Sequence, residues 1–278
     1  MSTTFEHVSI DTVRAFWDRR PCNVRHSRAA RGSLEYFEQV AARRYFVEPH
    51  IPRFAEFSRW DGARVLEVGC GIGTDTVQFA KAGATVTAVD LSPESLALAR
   101  EHARVCGVAD RVTFIQANSE ELTRHVSGGD FDLAYSFGVV HHTPRPDRAV
   151  AEIRQLLAPQ GELRLMVYSR VSYKLFWLMH EQGTWDLGRI DEVIARHSEA
   201  QTGCPVTYTY TFDDMTTLLA GFEVVDIRKA HIFTWDVDAY VRYEYVKDPA
   251  WANVSDAELA ALEKELGWHT LVRARLST

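Results

Sequence analysis

Cysteine is scarce in this chain of 278 residues: four thiols, Cys22, Cys70, Cys106 and Cys204, stand far apart without a CxxC pair. That spacing argues against a disulfide framework and against a zinc knuckle, and leaves four free thiols. Long apolar runs are missing as well; stretches such as Leu175 to Met179 fall far short of the roughly 18 residues that cross a bilayer. The N-terminus lacks a basic start, an apolar run and a small-residue cleavage site, so the cytoplasm is the expected compartment and no membrane is expected as a partner. Positive charge is in deficit. With 31 Lys and Arg against 38 Asp and Glu, the formal net charge is -7. Nucleic acid is therefore not an expected partner, because binding its backbone needs cations to displace counterions. Aromatic rings are few in one part only: 5 in residues 61 to 167, against 10 in residues 1 to 60 and 15 in residues 168 to 251. Hydrophobic residues at 46% and charged residues at 25% are ordinary for a globular chain.

Residues 61 to 167 alternate short β-rich runs with helical stretches, the pattern of βαβ units and a mainly parallel sheet. Strands are predicted at Arg64–Val68, Thr85–Val89, Arg111–Ile115, Phe131–Ser136 and Glu162–Val167. Ser92 and Pro93 open a helix that Gly107 closes, and Gly83 ends the preceding one. Capping boxes at Thr211 with Asp214 and at Ser255 with Glu258 open two later helices, followed by strands at Phe222–Lys229 and Trp268–Leu276. Helical patterns at Ile10–Arg20, Leu34–Glu48 and Pro52–Phe57, broken by Pro21, Pro49 and Pro52, precede the first strand. The expected division is a helical cap (1–60), a nucleotide-binding core (61–168), a lid insertion (169–205) and the remaining sheet with a helical insertion (206–278). Rings in the covers serve as their cores or line an acceptor pocket between covers and sheet.

The most specific signal is VLEVGCGIGTDT, residues 65 to 76. Gly69, Gly71 and Gly73 follow a buried strand and precede a helix, where glycine lets the chain turn sharply and a ligand approach the main chain. A dinucleotide site spaces its glycines GxGxxG; here Thr74 stands at the third position, which weakens an NAD(P)-dependent oxidoreductase reading. The YxxxK spacing of Tyr243 and Lys247 also lacks an upstream serine. Glu67, two residues before the first glycine, suits a cationic ligand group. Asp90 ends the second strand, where a carboxylate can accept two ribose hydroxyls.

On these residues the chain resembles a class I S-adenosylmethionine-dependent methyltransferase of the small-molecule type, similar to quinone-biosynthesis methylases. The resemblance covers residues 61 to 168 well. It implies a Rossmann-like α/β fold with seven strands, the antiparallel last one lying between the fifth and sixth. It implies that Glu67, Gly69, Cys70, Gly71 and Gly73 hold the methionine part of S-adenosylmethionine, that Asp90 binds the ribose and that Leu91 packs on adenine. QANSEEL corresponds to the adenine-edge motif with Asn118 in place of the usual Asp, so Asn118 and Ser119 become contacts; an Asn carbonyl can still accept from the exocyclic amine. SFGVVHHTP, containing Phe137, would face the sulfonium with its backbone and begin the acceptor pocket.

Methyl transfer from a sulfonium is an in-line displacement that chiefly needs donor and acceptor aligned in a dry site. A hydroxyl or protonated amine acceptor also needs a base, and His141 and His142 are the candidates, with His141 favoured. The histidines offer no third ligand at helical or hairpin spacing, so no metal is expected. Arg19, Arg20, Arg25, Arg28 and Arg31 form a basic run in which Arg25 and Arg28, with His26, are candidates to grip an anionic group. Trp17 can close over the cofactor. Arg170, His197, Glu199, Tyr208 and Tyr210 are further substrate candidates from the lid and the polar aromatic stretch after it. A non-catalytic protein binding an adenosine ligand is the remaining alternative. The acceptor is expected to be a small, partly aromatic or anionic metabolite; its methylated atom, and whether the protein forms a homodimer, stay open.

Overall fold

The computed structural model describes residues 3–197 and 203–277. Its centre is a seven-stranded sheet of β1 (Arg64–Val68), β2 (Thr85–Asp90), β3 (Val112–Gln116), β4 (Phe131–Phe137), β5 (Leu157–Tyr168), β6 (Phe222–Ala230) and β7 (His269–Leu276). The helices are α1 (Ile10–Arg19), α2 (Leu34–Val47), α3 (His50–Ala55), α4 (Thr74–Lys81), α5 (Pro93–Val105), α6 (Pro146–Leu156), α7 (Tyr173–Glu181), α8 (Ile190–His197), α9 (Phe212–Leu218), α10 (Val237–Val241) and α11 (Asp256–Leu266). The strand order is β3-β2-β1-β4-β5-β7-β6. β1 to β5 run parallel, and β7 is antiparallel to both β5 and β6. This is the seven-stranded Rossmann-like layout anticipated above, with the last strand between the fifth and sixth.

Val65, Leu66, Val68, Leu133, Ala134, Leu163 and Leu165 are all buried because helices cover both faces of the central strands. The order reverses at β1 and β4: β1 leads outward to β2 and β3, and β4 leads the other way. In an open α/β sheet that reversal leaves a crevice beyond the strand ends. β5 begins earlier than the apolar run suggests, because Leu157 already pairs with Phe131 before a register shift brings Glu162 opposite Leu133. Both capping boxes form, and the Ser92 side chain accepts the Ser95 amide at the start of α5. The third N-terminal helix starts at His50 rather than Pro52, so Pro52 sits inside its first turn, where a missing N–H costs nothing.

The N-terminal helices are bound to the core by buried charge and rings. Tyr36, Phe37 and Val40 of α2 pack with Ile72 of the glycine loop. Arg44 forms a two-pronged ion pair with Asp75 at 2.7 and 3.0 Å, and the hydroxyls of Tyr45 and Tyr135 donate to the same carboxylate. No described helix is long and apolar enough to cross a membrane.

Candidate functional site

A cavity of about 470 Å³ lies beyond the carboxyl ends of β1, β2, β4 and β5, between the sheet and its covers. The glycine loop forms one wall. Gly69, Gly71 and Gly73 have φ of +80, +53 and +78°, a region that glycine enters without strain. The amides of Gly69 and Cys70 both donate to the Val89 carbonyl, at 2.7 and 3.0 Å, which holds the bend against β2. A Cβ at Gly69 would lie 2.2 Å from the Val139 side chain, so the loop is pressed against the turn after β4. Gly73 lies off the cavity wall. It N-caps α4 without a side-chain partner, leaving the first-turn amides of Thr74 and Asp75 beside the cavity.

Asp90 joins the two sides of the crevice. Its carboxylate accepts the Gly71 amide and the Ser92 amide, each at 2.8 Å, leaving further lone pairs toward the cavity. Burial raises its pKa to about 6 despite those amides. Glu67 is buried deeper, with the Thr76 hydroxyl donating to it, and burial followed by the neighbouring Asp75 charge raises its pKa to about 8. Glu67, Gly69, Cys70, Gly71, Asp90, Leu91, Asn118, Ser119 and Phe137 all line the cavity. The Asn118 carbonyl also accepts the Glu120 amide at 3.1 Å, which orients the side chain.

The two histidines part company. Val140–His142 is a short 3-10 turn, and its successive side chains leave in different directions. His142 lines the cavity with Trp17 edge-on at 5.2 Å. Its Nδ1 donates to the Val206 carbonyl at 2.8 Å, which places the lone pair on Nε2, a buried atom with no protein partner. Burial lowers its pKa to about 4, so the ring is neutral at pH 7. His141, favoured by the sequence, has no face on the cavity. Its ring packs on Tyr168 at 4.0 Å and on His142 at 4.2 Å, and both of its nitrogens are buried away from the crevice.

Several substrate candidates are likewise corrected. The exposed Arg28 donates to the Arg242 carbonyl at 2.6 Å and lies over the Tyr243 ring at 4.5 Å. Arg25 is exposed and its carbonyl accepts the Tyr243 hydroxyl. The basic run therefore fastens the turn after α10, which supplies enough carbonyls and rings to engage it. Arg170 is paired with Asp191 at 2.9 Å and bonded to Thr209. Tyr208 and Tyr210 are core residues: the Tyr208 hydroxyl accepts the Phe5 amide, and Tyr210 carries a backbone bridge to Ser169. His197 ends α8 away from the cavity lining. Glu199 lies outside the described residues. Tyr243 and Lys247 do not form a pair, since the lysine donates to the Val254 carbonyl.

Trp17 and His26 do reach the cavity, joined by aromatic residues of the covers: Tyr173, Trp177, Phe233, Trp235, Tyr240, Trp251 and Trp268. None belongs to the aromatic-poor middle of the sequence. Arg44, Glu48, Asp75, His231 and His269 also line the wall, and none of them was among the sequence candidates. The signal for Arg44 was present but faint, as a charge on the apolar side of α2.

Residues 65–161 match the family described as methyltransferase domain. The matched stretch takes in the glycine loop, Asp90, Asn118 and His142. The chain is 38% identical over 109 residues to a ubiquinone biosynthesis O-methyltransferase of Xanthomonas axonopodis, covering 39% of this chain and 44% of that one. A namesake from Erwinia tasmaniensis is 31% identical over 161 residues, 54% of this chain and 64% of that protein. The chain thus spans less than two thirds of the length of these curated relatives. Among solved structures, magnesium protoporphyrin IX methyltransferase from Synechocystis with bound S-adenosylhomocysteine superposes with a TM-score of 0.55 at 15% identity, over 98% of this chain and 96% of that one. At that identity the likeness speaks for the fold.

Proposed function

We propose that the whole protein transfers a methyl group from S-adenosylmethionine to an oxygen, nitrogen or carbon atom of a small, partly aromatic metabolite. The observation that carries this reading is the crevice whose wall brings together the glycine loop, Asp90 bonded to the Gly71 amide, and the ring of His142. In this reading Asp90 takes the ribose hydroxyls, Leu91, Asn118 and Ser119 hold adenine, and Cys70 and the loop backbone hold the methionine chain. The α4 amides and Arg44 attract its carboxylate, and Glu67 its ammonium. His142, held in one tautomer by Val206, accepts a hydrogen bond from the acceptor and takes its proton as the bond to the methyl carbon forms. A pKa of about 4 makes it a weak base, so positioning dominates over proton abstraction.

The rings from residues 173 to 268 support a flat or apolar acceptor. An anionic group on it loses support from Arg28 and Arg170, whose guanidinium groups are engaged elsewhere, and Arg25 does not line the cavity. Calorimetry with S-adenosylhomocysteine and with NADH tests the cofactor assignment: binding of the nucleoside product is expected, and binding of NADH alone would overturn it. Mass spectrometry of candidate metabolites incubated with S-adenosylmethionine and the protein then tests the acceptor class.

A further inference from the structure

Four ligand-type side chains, three of them on the cavity wall, meet from three remote parts of the chain. Glu48 follows the last turn of α2, His50 begins α3, His231 follows β6 and His269 begins β7. His50 Nε2 lies 2.9 Å from His269 Nδ1, across 219 residues of sequence, and the same His269 nitrogen is 3.7 Å from a Glu48 carboxylate oxygen. The three ligand atoms lie within 4.8 Å of one another. The His231 ring stands 4.9 Å from that of His269 and 5.3 Å from that of His50.

Two other buried imidazoles bond to backbone carbonyls, His102 to Ile72 and His142 to Val206. At this cluster the nearest partner of an imidazole nitrogen is another imidazole nitrogen, so one lone pair is turned toward its neighbour. Donor atoms about 2.1 Å from one tetrahedral zinc ion are about 3.4 Å apart, and the separations of 2.9 and 3.7 Å straddle that value. The third pair, Glu48 with His50, lies within 4.8 Å. His231 sits at φ +71°, unusual for a residue with a Cβ, and its carbonyl is fixed by the Trp268 amide at 2.8 Å. Arg44, the nearby cation, has its charge matched by Asp75.

We propose that Glu48, His50 and His269 bind a divalent first-row transition ion, with an open coordination position toward the cavity. Two imidazoles and one carboxylate suit zinc, iron or cobalt better than magnesium or calcium, which prefer oxygen ligands alone. Glu48, His231 and His269 line the cavity on the side of Phe137 and Tyr168, so an oxygen of a bound acceptor can take the open position. This placement goes beyond methyl transfer and does not depend on it.

The test uses full-length protein stripped with chelator and titrated with cobalt(II) and with zinc(II), followed by calorimetry and by the visible absorption of cobalt. One ion per chain is expected, with affinity lowered about tenfold or more in Glu48→Gln and in His50→Gln. Circular dichroism shows whether each variant folds, and the isosteric Glu48→Gln serves if His50→Gln does not. Absence of stoichiometric binding overturns the proposal, as does binding that survives both substitutions or disappears in Cys22→Ser. A parallel titration with S-adenosylhomocysteine separates the two readings: intact nucleoside binding without metal refutes only the metal site, and the converse refutes only the cofactor assignment.

Discussion

Gly69→Ala offers a quantitative test of how the glycine loop is built. An alanine Cβ would lie 2.2 and 2.5 Å from the two Val139 methyl carbons and 2.8 Å from its Cβ, at a backbone φ of +80°. Two costs add. The left-handed backbone with a Cβ costs roughly 1–2 kcal/mol, and forcing a methyl into filled space costs roughly 1–3 kcal/mol more. The sum, about 2–5 kcal/mol, is a large fraction of a typical domain's stability. Val139 is half-buried at the cavity edge, so Val139→Ala should itself cost little. It removes the two closest contacts and leaves the third. The double variant should therefore recover most of the packing cost while keeping the backbone cost of about 1–2 kcal/mol. Urea denaturation of wild type, both single variants and the double variant closes this cycle, with a favourable coupling of about 1–3 kcal/mol expected from the packing term. Calorimetry with S-adenosylhomocysteine should follow the same order, because the displaced loop carries the Gly71 amide. If Gly69→Ala denatures within about 0.5 kcal/mol of wild type, the level of an ordinary surface change, the close approach to Val139 is not real. A double variant no more stable than Gly69→Ala would refute the steric explanation while leaving the backbone one.

Asp90→Ala should weaken S-adenosylhomocysteine binding at least about tenfold, near the worth of a charge-assisted hydrogen bond, and an unchanged dissociation constant would remove this carboxylate from the ribose. Because burial and the Asp75 charge hold the Glu67 pKa at about 8, seating a ligand ammonium beside it should release protons at pH 7. Calorimetry in buffers of different ionisation enthalpy would show that release, and Glu67→Gln should abolish Glu67's share of it. His142→Ala should lower turnover while leaving cofactor affinity within about twofold, since its partner is the acceptor; equal losses in both would assign it a packing role. Acid should destabilise the fold between pH 6.5 and 4. His102 is buried against Phe37 with its pKa lowered to about 4, so over that range the unfolded chain binds a proton that the folded one refuses. The gap corresponds to roughly 3 kcal/mol, present above pH 6.5 and lost as pH falls toward 4; a variant His102→Phe whose acid unfolding curve matches the wild type would contradict this.

Local features were legible because their causes are local. Ser92 followed by Pro93 defines a helix start whatever surrounds it, and both capping boxes need only residues three apart. Gly69, Gly71 and Gly73 between a β-branched strand and a helix, with Asp90 closing the next strand, announce the cofactor crevice because a parallel sheet places neighbouring strand ends side by side. The direction of a side chain on an irregular turn has no such local cause. Sequence alone could not separate His141 from His142, since Val206 and Tyr168, which decide their orientation, lie 64 and 27 positions beyond them. Arg28 read as a free cation until the turn after α10 came to meet it.

The alternation of strand and helix, the glycine bend and the carboxylate at its far side belong to the sequence by itself, through periodicity and short-range backbone chemistry. Tertiary structure alone decided which histidine meets the crevice, which arginine stands on its wall, and that Glu48, His50 and His269 converge. Those outcomes depend on how the covers are laid over the sheet, and contacts made across some two hundred residues leave no spacing to be read along the chain.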